Sequence, residues 1–173
     1  MLSPLHLTSR LFTFVFIIVL AGCQFSSQPT TKHNDYTRVT EISSEVFYYA
    51  DNPLILLEMR AKWISNQGYV VDIVTTSVAL DNLDLNLAWS QNRNYRYVSS
   101  GKSSLVCVVG CTVSEKGRLF IPENEFRTYA HTGFTFKLIG RSNSVDGFLN
   151  ARAFQRVLYK MQTLPQIQTL SRR

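Results

Sequence analysis

Leu57-Glu58-Met59-Arg60-Ala61-Lys62-Trp63-Ile64 (LEMRAKWI) puts an apolar side chain at every second position as far as Trp63, with charged residues between. A period of two is the signature of a strand with one face on a core and the other in water. Leu57, Met59, Ala61 and Trp63 are expected inward, and Glu58, Arg60 and Lys62 outward. Ser65-Asn66-Gln67-Gly68 follows as a turn, and Tyr69 to Ser77 (YVVDIVTTS) is rich in β-branched residues. The two segments predict a hairpin.

The same pattern extends along the chain. Leu83 to Ser90 (LDLNLAWS) alternates, with Leu83, Leu85, Leu87 and Trp89 expected inward and Asp84, Asn86 and Ala88 outward. Gln91-Asn92-Arg93-Asn94 supplies turn chemistry before Tyr95 to Val98. Ser104 to Val109, Arg118 to Ile121 and Phe134 to Gly140 complete the series, and Arg38 to Tyr49 offers one or two strands more. Two stretches leave the period. Pro122 to Thr132 has a proline at its start, early acids, and Phe126, Tyr129 and Ala130 at helical spacing, ending at Gly133. Asn150 to Gln162 offers a capping Asn150 and one stripe of Ala153, Phe154, Val157, Leu158 and Met161. The expected fold is mainly β: an antiparallel β-sandwich-like domain over residues 36–164 with one short helix and a C-terminal helix. Residues 165–173 form a polar, basic tail expected to fray.

The start of the chain has a different character. Arg10 is the only formal charge before an unbroken apolar run, Leu11 to Leu20, which the small Ala21 and Gly22 follow. This is the order of a secretory signal peptide, and the run is too short for a spanning helix, which needs ~20 residues. Leu20-Ala21-Gly22-Cys23 resembles the lipobox of bacterial lipoproteins. The resemblance implies removal of residues 1–22 and a covalent diacylglycerol on the Cys23 sulfur, with an N-acyl chain on the new amino terminus. Gln24 after the cysteine implies sorting to the cell outer membrane, with the domain facing the periplasm. Acyl chains contributing ~0.8 kcal/mol per buried methylene would make that anchor stable. An ordinary signal peptide that happens to contain a cysteine is the alternative. Residues 23–35, continuing as the polar QFSSQPTTKHND, are expected to be the lipidated cysteine and a flexible tether.

Composition sets further bounds. The part after the leader holds about 150 residues, enough for one domain with a core of its own. The whole chain carries a formal net charge of +6. That balance suits anionic surfaces, although solubility alone also accounts for it. With Cys23 taken by lipid, Cys107 and Cys111 remain as an even pair in an oxidising compartment, where a structural disulfide is expected. A straight strand across Cys107-Val108-Val109-Gly110-Cys111 would hold the sulfurs apart, so a bend is expected there. The short loop limits the entropic gain to roughly 2 kcal/mol.

No motif names a reaction. His131 lacks the glycine-flanked serine elbow of a hydrolase, and a histidine at a helix end suits the helix dipole. Glu123 with Glu125, and Asp81 with Asp84, are the available carboxylate pairs, but nothing in the sequence joins them. A metal site would need more soft ligands than the pair of cysteines and His131 supply, so no catalytic and no metal-binding residue is assigned. Arg152, Arg156 and Lys160 recur every four residues as a ridge that could meet an anionic partner, or simply face water. The tyrosines Tyr48, Tyr49, Tyr95 and Tyr97 are weak candidates for stacking on sugars or bases. The expected role is non-catalytic: binding or supporting an envelope complex, with the membrane reached through the lipid anchor, an envelope protein as partner, and no nucleic acid. An enzyme acting on peptidoglycan or lipid, and a carrier of an apolar ligand, stand as alternatives.

Overall fold

The structure is a computed structural model that describes residues 28–78, 83–91, 93–107, 111–141 and 143–164. The leader, Cys23, residues 165–173, Asp81 and Gly110 lie outside the described residues. The domain is mainly β, built from two curled antiparallel sheets with two helices. The strands are β1 (Thr30–Asn34), β2 (Val39–Ser43), β3 (Phe47–Asn52), β4 (Ile55–Ile64), β5 (Gly68–Ser77), β6 (Leu87–Ser90), β7 (Arg93–Tyr95), β8 (Tyr97–Cys107), β9 (Cys111–Ile121), β10 (Phe134–Ile139) and β11 (Ser144–Leu149). The helices are α1 (Glu123–Thr132) and α2 (Ala151–Thr163). The large sheet runs β1-β2-β4-β5-β9-β8 with β3 also paired to β4, and the small sheet runs β11-β10-β6-β7.

The hairpin read from LEMRAKWI is the centre of the large sheet. β4 pairs along its full length with β5, Trp63 opposite Tyr69 and Met59 opposite Ile73, across a turn that Gly68 closes at φ 81°. Leu57, Met59 and Ala61 are fully buried, as the alternation requires. On its other edge β4 pairs with β2 at one end and β3 at the other. Between them Ser44, Glu45 and Val46 oppose only Arg60 and Ala61, a bulge of one extra residue. The Ser44 hydroxyl fills the gap in the ladder, accepting the Ala61 N–H at 3.1 Å while the Ser44 N–H donates to the Ala61 carbonyl at 2.9 Å.

One core joins every layer. Phe126 of α1 packs on Tyr69 of β5 at 4.6 Å and on Phe154 of α2 at 4.8 Å. Tyr129 of α1 lies 4.5 Å from Phe134 of β10, which stacks on Phe136 at 5.1 Å. The helices form where expected. Pro122 precedes α1, Gly133 ends it at φ 75°, and the Asn150 side chain caps α2 by accepting the Arg152 N–H at 2.9 Å. Ala153, Phe154 and Val157 are the buried stripe of α2.

Four details differ from the sequence pattern. Thr30–Asn34, inside the expected tether, is an edge strand: all five residues are exposed, and it is held by pairing with β2 and not by burial. Ser144–Leu149 is a strand absent from the expectation, with Val145, Gly147 and Leu149 facing inward. The Phe136 ring covers Gly147, where a Cβ would collide with it. The alternation of Leu83 to Ser90 slips by one: Leu83 and Leu85 are buried, but so are Ala88 and Ser90, and Trp89 turns outward. The cause is local, because Asp84 sits at φ 48° and residues 83–85 are tied to another strand before β6 begins. Lastly, β8 and β9 are each far longer than the short strands expected there.

That tie is Glu115 of β9. It faces the core side at 7% exposure, and its carboxylate accepts the backbone N–H groups of Leu83, Asp84 and Leu85 at 2.5, 3.1 and 3.3 Å. Burial, followed by the charge of Glu115, pushes the nearby Tyr97 hydroxyl up to about 12. Glu115→Ala leaves three amides without their acceptor and is expected to cost about 2–3 kcal/mol in urea unfolding, with Glu115→Gln costing less. An unchanged midpoint in both variants would remove Glu115 as the tie.

Candidate binding surfaces

Alternation on the strands of the large sheet sends Asp72, Arg118, Lys62 and Lys116 to the face away from the core. There they build an ion network. Lys62 Nζ lies 2.7 Å from Glu41 Oε1 and 2.8 Å from Asp72 Oδ2. The Arg118 guanidinium donates from Nε at 2.6 Å and Nη2 at 3.1 Å to the two oxygens of Asp72, and from Nη1 to Gln67 at 2.7 Å. Burial alone would raise the Asp72 pKa. The hydrogen bonds and charges of Arg118 and Lys62 outweigh it and hold the carboxyl below its ordinary value.

Over this network runs a concavity of about 790 Å³, lined by Asp72, Val74, Arg96, Lys116, Arg118 and Phe120 among others. The Arg96 guanidinium lies 4.7 Å over the Phe120 ring. Through Gln67, Arg96 and Phe120 the concavity continues into a second of about 290 Å³ that reaches Arg93 and Tyr95. Those two residues also line a third, of about 270 Å³, with Glu125 and Tyr129. The result is a trough from the outer face of the large sheet round to the edge of the small one. At its far end the Tyr95 hydroxyl donates to Glu125 at 2.5 Å and lies 2.6 Å from the Tyr129 hydroxyl, while Arg93 pairs with Glu125. Burial and the bond to Glu125 raise the Tyr95 pKa, and burial raises that of Tyr129. At neutral pH both hydroxyls therefore stay protonated and act as hydrogen-bond donors, closing the polar rim of the aromatic core.

The second surface is the outer face of the small sheet. Trp89 and Phe148 are 40% and 39% exposed, and Leu87 and Ile139 are half-buried beside Trp89. Register places Trp89 next to Lys137, whose ammonium lies 3.3 Å from Asp146. Asn94 and Thr135 flank this row. Leu87, Trp89 and Ile139 make an apolar cluster on one side of this face, and Lys137 on the central strand separates Trp89 from Asp146 and Phe148 on β11.

The residues singled out in the sequence are spread over the molecule. Cys107 and Cys111 face each other where β8 turns into β9, at disulfide-bonding distance with α-carbons 4.1 Å apart, so the required bend is the end of a hairpin. Arg152 and Arg156 both turn toward Glu45 in the β2–β3 bulge, their Nε atoms 3.8 and 3.9 Å from its Oε1. Lys160 lies half-buried further along α2. His131 is exposed on the last turn of α1. Glu123 pairs with Arg127 on the outside of α1, while Glu125 turns to Arg93, so those carboxylates part company. Asp84 is exposed. Tyr48 is exposed and Tyr49 faces the core, whereas Tyr95 and Tyr97 are both buried. No group of three or more His, Cys, Asp or Glu side chains suited to a metal occurs among the described residues, and no described helix is long and apolar enough to cross a membrane.

Lys62 was legible as an outward residue; Asp72, Arg96, Lys116 and Arg118 were not, because only the register of four strands brings them together. The lowered Asp72 pKa has a consequence for acid stability. A carboxyl with a folded value below its unfolded value of about 3.9 contributes stability that is complete above that pH and is lost as pH falls through the folded value. Asp72→Asn is therefore expected to lower the urea midpoint at pH 7 and to narrow its gap from the parent between pH 4 and pH 2.5. A gap that stays constant across this range would refute the linkage.

Comparison with protein families, with curated proteins and with solved structures finds no match for this chain.

Proposed function

We propose that this chain is a lipoprotein of the cell envelope, anchored through acylated Cys23 in the outer membrane, with a domain that binds a protein partner in a non-catalytic, supporting role. The anchor rests on the order of the leader and on Leu20-Ala21-Gly22-Cys23. The binding role rests on one observation, the exposed face of Trp89, Phe148, Leu87 and Ile139 on the small sheet. Exposed aromatic side chains are enriched at protein–protein contacts, where a few such residues supply most of the affinity. Polar groups lie beside these aromatics: Asn94 opposite Trp89, Thr135 opposite Phe148, and the Lys137–Asp146 pair between the two. The interior between the sheets, where a carried apolar ligand would sit, is filled by Phe126, Phe134, Phe136 and Phe154. That favours recognition at the surface over carriage within.

Two experiments test this. Cys23→Ser is expected to release the protein from the membrane fraction, and a variant that still sediments with the outer membrane would reject acylation as the anchor. A photo-crosslinking amino acid at position 89 is expected to capture one defined envelope protein in cells, and the same probe at exposed Tyr159 on α2 is not. Equal capture at both positions, or none at position 89, would count against the small sheet as the docking face.

A further inference from the structure

The trough on the large sheet has no part in that contact, and its chemistry points to a different ligand. Its floor carries Lys116, Arg118 and Phe120 at successive same-face positions of β9. The middle cation is spent, because Arg118 is bound in bidentate fashion to Asp72 and the Asp72 carboxylate is also held by Lys62. The two ends are not: neither Lys116 nor Arg96 has an acidic partner among the described residues, and the Arg96 guanidinium lies 4.7 Å over the Phe120 ring. A guanidinium over a ring face still has N–H donors to offer a carboxylate or phosphate. Lys116 and Phe120 lie four positions apart on β9, a span of about 14 Å along the strand.

A ligand that meets both cations must therefore be elongated and carry at least two negative groups. On the floor of the trough the backbone groups of β5 and β9 are paired with each other, while its wall at Val98–Ser100 belongs to β8, the edge strand of the large sheet. An extended peptide would find no ladder to join on that floor, only at the rim along β8. Besides its cations the trough is lined by side-chain amide and hydroxyl, Asn66, Gln67 and Ser100, and by apolar Val74 and Val98, with Asn94 in the continuation toward Arg93. These groups suit a chain rich in hydroxyls. The aromatic rings nearby are unsuited to base stacking, since Tyr69 and Tyr95 are 7% and 5% exposed and Phe120 is covered by Arg96.

We infer that the trough is a binding site for an acidic oligosaccharide, its negative groups held by Arg96 and Lys116. The inference adds a ligand to the domain read above as a binding module, and it depends on neither the Cys23 anchor nor the Trp89 face.

Residues 24–173 contain the entire described domain with its single core, so the test can use that chain free of leader and acyl groups. Titration with a galacturonate hexamer, followed by amide chemical shifts, is expected to move the signals of residues 96–100 and 114–120. Galacturonate monomer, which cannot reach both cations, is expected to bind at least roughly tenfold more weakly, and neutral maltohexaose not to bind. Arg96→Ala and Lys116→Ala are each expected to weaken the hexamer by about tenfold, the loss of one charged hydrogen bond. Arg152→Ala on α2 should leave binding unchanged. The assignment is overturned if maltohexaose binds as well as the hexamer, if the double variant Arg96→Ala/Lys116→Ala binds like the parent, or if a glutamate hexapeptide binds more tightly than the saccharide. Failure here would leave crosslinking at position 89 untouched, so the two surfaces stand or fall separately.

Discussion

Everything in this molecule hangs on one run of rings. Tyr69 of the large sheet, Phe126 and Tyr129 of α1, Phe154 of α2, and Phe134, Phe136 and Tyr95 of the small sheet touch in sequence. Each aromatic buries 150–250 Å², so this cluster supplies much of the apolar burial that holds two small layers and two short helices together. Its composition also dictates its edge. Tyr95 and Tyr129 bring hydroxyls that cannot be left unpaired, and the bond between them, with Glu125 and Arg93 outside it, satisfies that demand. The far end of the trough is thus a by-product of closing the core.

The outer face of the large sheet follows a different rule. It is a curled surface wet on one side, and charged residues there need not be paired to be tolerated. Yet Glu41, Lys62, Asp72 and Arg118 are linked into a continuous network across β2, β4, β5 and β9. These side chains are partly buried, so each pair offsets the desolvation of its own charges and breaking it by removing one partner is costly. Their clearer effect is to balance charge within the network, while Lys116 and Arg96 beside it have no acidic partner among the described residues.

Much of this architecture was legible in the chain because its strands follow a strict period. LEMRAKWI and YVVDIVTTS fold as the hairpin they describe, and the helices begin at Pro122 and Asn150 with the stripes their spacing defines. The pattern failed where something other than side-chain burial decides the conformation. Thr30–Asn34 is a strand only because β2 offers it hydrogen bonds, and a wholly exposed strand has no hydrophobic period to read. Ser144–Leu149 uses a glycine inward, under Phe136, where the pattern asks for an apolar side chain. In Leu83 to Ser90 the buried carboxylate of Glu115, thirty residues away in sequence, resets the phase. The trough was invisible for a related reason: Gln67, Arg96 and Lys116 become neighbours only through strand register, and no local spacing records that.

The bulge at Ser44–Val46 carries a final implication. Ile42 and Phe47 both point into the core although five positions separate them, an odd interval that an uninterrupted strand would place on opposite faces. The surplus residue is therefore a parity switch between β2 and β3, letting one edge of β4 be lined by two segments with opposite phase. Chains that have lost or gained a single residue at this point would have to exchange the inward and outward sets of β3, Phe47 and Tyr49 for Tyr48 and Ala50. Length here is under tighter constraint than identity, the reverse of what a surface kink suggests.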